Sequence, residues 1–495
     1  MSQFKAHCAT LTVAAALAGA PALADVTAEQ VWQAWVDYSA DMGQEVTTGG
    51  QEMSGDTLVI TDAVFSGSQD EADFTLTIPE IRLRETGGMV EVTTSSEVPM
   101  SVTGTGEAGE AVDMSMLVRH LGMVTVVSGT PEEMTYRFNA QEIGFEMGDM
   151  MVEGEPIDLS FAITARDAVG QYQMTEGDLR NITSTLSAAG ADYSLSATDP
   201  EEGGTLNLEG QISDITGESV MSMPQDMNPD DMPAALAAGF SATGGFRYGA
   251  GQTKMDFADE GETVTADIKG TGGVFDVSLS RDGLVYEVGG TGTEVMIQSS
   301  SLPFPVNASL AESGFSFTMP MAKGQNAPIG VGLRLVDLSV SEQIWAMIDP
   351  TGQLPHDPAT LIVELAGRVN MFHDLTDPAI EEMDEPPGEI ESLDLEALQV
   401  KIAGAELTGQ GGLTFDNSDM SMGFPKPQGS VDLTLTGANA LMDKLVAMGL
   451  LPEDQVMGAR MMMGLFAVPT GEDSLASKIE FREDGGIYAN GQRIQ

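Results

Sequence analysis

The chain is poor in cysteine, in positive charge, in histidine and in long apolar runs. A single cysteine, Cys8, stands among 495 residues. No disulfide can form within the chain, and no thiolate cluster can hold a metal. Lysine and arginine number 21 against 76 aspartates and glutamates, a formal charge of −55. A chain this acidic repels nucleic acid and anionic headgroups, which makes both poor partners; the charge itself serves solubility. Four histidines are present, and neither H-E-x-x-H nor G-x-S-x-G occurs. Gly239-Phe240-Ser241-Ala242-Thr243 misses the closing glycine of the second pattern. No stretch approaches the roughly 20 apolar residues that a membrane-spanning helix needs.

What is present begins with an address. Lys5 supplies a positive start, Ala9 to Ala20 an apolar run, and Ala22-Leu23-Ala24 an A-x-A cleavage site. Residues 1–24 are therefore expected to be a signal peptide, removed together with Cys8, leaving a periplasmic protein. Thr27 and Gln30 then form a capping-box pattern, with Val31, Trp32, Trp35 and Val36 at helical spacing. One amphipathic helix is expected over 27–42, packed on a sheet.

From Asp56 onward the period changes to two. Thr57–Thr61, Asp73–Ile78, Met89–Thr94, Thr135–Ala140, Ala191–Ser196, Thr205–Gly210, Thr263–Lys269, Phe275–Ser280 and Leu284–Gly289 alternate apolar with polar residues. Most are bounded by Gly, Asp, Ser or Pro. The expected fold is mainly β (α+β), a large twisted antiparallel sheet with a few short amphipathic helices covering its faces or ends. The Met-, Pro- and Asp-rich residues 221–238 read as a loop between a β-rich domain over 25–220 and a second over 239–495. Asp377–Glu391 reads as an acidic linker. Leu335–Gly367 is expected to form strand, short helix, Pro-bounded loop and strand. Ser341 would cap that helix, with Ile344, Trp345 and Ile348 on one face. Near the C-terminus two further helical runs carry Leu441, Leu445 and Met448, then Met457, Met461 and Leu465. A final hairpin over 477–494 turns at Asp484-Gly485-Gly486.

Few patterns carry chemistry. Gly104-Thr105-Gly106-Glu107-Ala108-Gly109 matches G-x-G-x-x-G, but polar, Pro-bearing residues precede it where a buried strand belongs, so a turn is expected. Asp226–Asp231 resembles a calcium loop without its turn glycine, and Ala237 stands where the bidentate Glu belongs. His356-Asp357 and His373-Asp374 offer an imidazole beside a carboxylate; His120 stands apart. Thioethers suit Cu(I), and Met221, Met223 and Met227 share an exposed-looking loop. Further methionines gather at Met147, Met150 and Met151 and at Met461 to Met463, where filling core gaps is the simpler account. No catalytic, cofactor-binding or metal-binding residue is assigned, and no cofactor is expected.

Trp345-Ala346-Met347-Ile348-Asp349-Pro350 with Leu354-Pro355-His356-Asp357-Pro358 resembles a segment of an uncharacterised family of secreted alphaproteobacterial proteins. Gly449–Phe466 and Tyr488–Arg493 are similar to that family too. The resemblance spans nearly the whole mature chain and implies no catalytic residues. A more distant similarity to AsmA-like envelope proteins implies long curved sheets and lipid handling. This chain departs from many of them in having no membrane anchor. The expectation is an exported non-enzymatic envelope protein that binds a lipid, another apolar ligand or an envelope partner on a curved sheet. Copper binding through methionine and hydrolysis through His356 or His373 are the alternatives.

Overall fold

Strands far longer than the usual five or six residues dominate the molecule. Glu133–Val152, Leu179–Thr198 and Thr205–Pro224 each run 20 residues. The computed structural model describes residues 26–495 apart from 70–71, 107–108, 201–202, 226, 229–230, 378–379, 381–382, 384–385 and 420–424. Within it, 28 strands join in one antiparallel sheet. The sheet is a meander, as the run of two-residue-period segments demands: Thr57–Gln69 pairs with Ala72–Thr86. Near the other end Lys426–Thr436 pairs with Ser474–Phe481. The signal-peptide expectation falls outside the described residues. Among the described residues no helix is long and apolar enough to cross a membrane.

A crease crosses the long strands at one level. Pairing lapses at Asp62, between Thr61↔Glu80 and Ala63↔Ile78. It lapses again at Asp167 opposite Gln141, at Asp214 opposite Ala189, at Gly292 opposite Ala311, and at Asp337. Asp62, Asp167, Asp214 and Asp337 have φ of 50–55°, and Gly122 and Gly292 also lie in the left-handed region. Aspartate is among the few side chains that tolerate this conformation. One such residue slips the alternation, so that inward-facing positions become i and i+3 instead of i and i+2. Ile60 and Ala63, flanking Asp62, both belong to one buried cluster. Because partner strands slip at the same level, register is kept and apolar residues stay on one face through the bend. The crease therefore divides the sheet into two arms that share an apolar inner face.

The helix Ala28–Asp41 (α1) lies in the fold. Its cap forms as the sequence dictates: Thr27 N–H donates to Gln30 Oε1 at 2.9 Å, and Gln30 N–H donates to Thr27 Oγ1 at 3.3 Å. Val31 and Trp32 pack with Leu58, Leu83, Val90 and Tyr136 from one arm, and with Ala63 and Phe65 beyond the crease. Inner-face charges hold both helix ends. Glu85 Oε1 accepts from Ala28 N–H at 2.9 Å. Arg180, buried and lying over the Tyr38 ring, reaches Asp41 and Glu176 at 2.7 Å each. A carboxylate at the N-terminus and a guanidinium at the C-terminus both oppose the helix dipole. Burial works against the Arg180 charge, but the two carboxylates outweigh it and raise its pKa.

Elsewhere the structure departs from the sequence reading. Residues 221–238 do not separate two sheets: Thr205–Pro224 pairs with both Ser241–Tyr248 and Gly251–Asp259. Within that stretch Met232–Ala237 forms a short helix (α2) capped by Asp231. The expected linker 377–391 joins Ala359–Met371 to Gly388–Ile402, which are themselves paired. The helix Glu342–Ile348 (α3) receives no side-chain cap from Ser341, and none of its residues is buried. Trp345 instead stacks on the His356 ring at 4.4 Å, because the Pro-bounded loop folds back onto the helix. Asp349 anchors that loop, accepting from Leu354 N–H at 2.5 Å. Burial pushes the Asp349 carboxyl up, but backbone donors led by Leu354 N–H hold it below the usual carboxylate range.

Candidate functional site

Following the register from strand to strand places one apolar row along the first arm of the inner face. It starts at Leu58, Leu83 and Val92 and passes Phe138, Gly170, Leu186 and Gly217. It continues through Phe246, Phe275, Val288, Phe315, Leu333, Val363 and Leu398 to Leu433. Alternation puts these side chains on the inner face because successive positions are directly opposed, with Thr125 standing between Val92 and Phe138 and Gly409 between Leu398 and Leu433. Aromatic contacts knit the middle of the row: Phe246 stacks on Phe275 at 5.4 Å, and Tyr286 meets Phe275 edge-on at 5.5 Å. At Gly170 a side chain would collide with the Phe138 ring lying over the backbone, so glycine is needed there. The second arm carries a matching row, Phe161, Leu195, Leu208, Met255, Ala266, Ile297 and Val306.

Burial along this face is uneven. Under α1 the row is closed, with Leu58 at 6% exposure and Leu83 at 0%. In the middle no helix covers it: Leu186 is 44% exposed and Phe246 and Phe315 are each 41%. On the second arm Phe257 and Ile268 are similarly open, at 39% and 38%. Large apolar side chains left open in a contiguous row mark an interaction surface. From Leu186 to Leu333 the row crosses six strand spacings, about 29 Å.

The outer face is polar, and its arginines are paired. Arg82 pairs with Glu80, Arg84 with Glu91, Arg247 with Asp276, and Arg334 with Glu312 and Glu364. A depression of about 750 Å³ lies on this side, where Gly272, Gly289, Gly314, Gly330 and Gly332 present no side chain. Its arginines already have carboxylate partners, so it offers no uncommitted cation to an anionic ligand.

The sequence-derived candidates are scattered. Met221 and Met223 lie in a strand, not in an exposed loop: V-M-S-M alternates, turning both inward, and Met223 is buried. Met221 and Met227 pack against the cluster of Ala235, Leu236 and Phe240 formed by α2 and the residues after it. Met147, Met150 and Met151 lie in Glu133–Val152, far along the sheet. The structure brings together a set that the sequence did not suggest, Met100, Met116 and Met147, as direct cross-strand neighbours. Linear spacing gives no hint of it. The partner of His356 is Glu342, with Nδ1 at 3.1 Å from Oε2, and not Asp357. Asp374 accepts from Lys323 N–H. His120 sits beside the crease, its Nε2 2.9 Å from Thr94 Oγ1. Gly104 and Thr105 end a strand paired with Ala111–Leu121, and residues 107–108 of the glycine motif lie outside the described set. The calcium-like stretch lies partly outside it too. Among the described residues no group of three His, Cys, Asp or Glu is placed to hold a metal ion.

Three comparisons with other proteins place the chain. A family model described as "Uncharacterized protein conserved in bacteria (DUF2125)" matches residues 216–494, more than half of the sequence. No curated protein matches it. Among solved structures, the ferric citrate transporter FecA in its unliganded form aligns over 91% of this chain and 76% of its own, at 8% identity and a TM-score of 0.17. That score is too low to carry a structural argument.

Proposed function

The chain belongs to the DUF2125 family of uncharacterized proteins conserved in bacteria, and from that premise we propose that it is an exported, non-enzymatic lipid-binding protein of the cell envelope. The carrying observation is the open part of the inner-face row, from Leu186 through Phe246 and Val288 to Phe315. From Leu186 to Phe315 it crosses five strand spacings, about 24 Å, longer than the roughly 15 Å that one leaflet contributes to a 30 Å hydrocarbon core, so a single extended acyl chain can lie along it. Nothing ionic lines the row, so recognition is of hydrocarbon, and the net negative charge of the chain keeps the loaded protein soluble.

Protein isolated without detergent is expected to yield stoichiometric lipid on extraction and mass spectrometry. The double variant Phe246→Glu/Phe315→Glu should carry at least about tenfold less, because a carboxylate desolvated against an acyl chain is costly. Wild-type protein that comes out empty, from the envelope and after incubation with vesicles alike, would sink the proposal.

A second reading, soft-metal binding, keeps one specific observation: Met100, Met116 and Met147 are opposed across three adjacent strands. Thioethers at neighbouring positions suit Cu(I). Titration with Cu(I) under a competing chelator should then show tight binding that Met100→Leu/Met116→Leu/Met147→Leu abolishes. Equal titration curves would leave these methionines as pliable apolar wall.

A further inference from the structure

At the C-terminal end of the apolar row the second arm is replaced by two helices, Ala438–Ala447 (α4) and Glu453–Phe466 (α5). They are fixed from their ends. Gly437, the residue before α4, has no side chain to cap it, and Asp473 does so from a neighbouring turn, accepting from Asn439 N–H at 3.2 Å and Ala440 N–H at 3.0 Å. Arg460 ties α5 to Asp443 of α4 at 2.6 Å. The side that α5 turns to the sheet is small. Val456 is buried and Met463 and Phe466 are half-buried, whereas Met457, Met461 and Leu465, the stripe read from the sequence, face solvent. Beside α5 an open hollow of about 470 Å³ lies between helix and sheet, walled by Leu407, Leu433, Leu435, Ile479, Met463 and Phe466. The one hydroxyl on its wall is engaged, since Ser477 Oγ donates to Phe466 O at 2.6 Å.

Water gains nothing in an apolar space without two to four polar partners, and the volume falls within the range of ligand sites. Leu433 continues the same register row that is open at Phe315. We propose that this hollow beside α5 receives the terminal part of a linear hydrocarbon chain whose polar head stays on the open inner face. The inference rests on the lipid-binding reading above. The walls define the ligand class: no free polar group inside means that a head group or a branched polar molecule cannot enter. The other end of the face is filled by Trp32 of α1, so the chain has one terminal slot, beside α5.

The test is calorimetric titration of the full mature protein with monoacylglycerols of short, medium and long chain, whose neutral heads avoid repulsion from the acidic protein. In the wild type, affinity should climb about fourfold per added methylene until the slot is full. Leu433→Trp, which occupies the slot, should flatten the chain-length profile: the gain from the last methylenes is lost, weakening the longest chain about tenfold or more and the short chains far less. Met463→Trp fills the same space from the helix side and serves if Leu433→Trp unfolds. An unchanged chain-length profile, or a uniform loss at every length, would overturn the slot while leaving the open-face reading standing. A wild type that binds no chain length would overturn both.

Discussion

Trp32→Ala is expected to destabilise the protein by about 3–5 kcal/mol, the range for deleting a buried tryptophan, measured by urea unfolding. Trp32 is 6% exposed and meets Trp35 and Phe65 edge-on at 6.4 and 6.3 Å. Its removal empties the middle of the buried cluster that joins α1 to both arms. Neighbouring strands cannot collapse into the hole, because their positions are fixed by ladder hydrogen bonds on either side. Trp345→Ala is the control: it sits on an uncovered helix against His356 and should cost far less. Equal losses for the two variants would mean that α1 is peripheral and that the crease is held by the sheet alone.

The second large effect is expected at the crease. Changing Asp62, Asp167 and Asp214 together to valine should cost about 1–2 kcal/mol at each site, the penalty for an L-residue in the left-handed region. Valine stands at the upper end because its branched Cβ is least tolerant there. The same three positions changed to glycine should be close to neutral, since glycine adopts positive φ freely. Thermal unfolding of both triple variants separates backbone conformation from the lost carboxylates: if glycine destabilises as much as valine, the aspartates matter for their charge and not for the bend. Relief of the left-handed conformation in the valine variant would straighten the strands and turn one arm's apolar residues outward, so the variant should also aggregate.

Much of the fold is legible in the chain itself. The capping box at Thr27, the two-residue period of strands such as Met89–Thr94 and the turn after Phe481 depend on neighbours within a few residues, where local sterics and hydrogen bonding decide. The crease has a local signal too, which strict alternation hides: apolar-x-Asp-apolar at Ile60–Ala63, Ala165–Ala168, Ile212–Ile215 and Leu335–Leu338. Each is a one-residue slip in period with a left-handed-tolerant residue inside it.

Composition, charge and strand content were thus set by the sequence alone, because each follows from residue types and short-range spacing. Which apolar residues are covered was decided only by the tertiary structure. Leu83 and Phe246 both sit in apolar-alternating strands and share one register row, yet one is sealed under α1 and the other open. Likewise Met223 and Met461 look alike in apolar, Met-rich stretches, but one lies inside and one outside. A strand or helix fixes which face a side chain takes; only the packing of other elements fixes whether that face meets protein, and that depends on contacts between residues far apart in the chain.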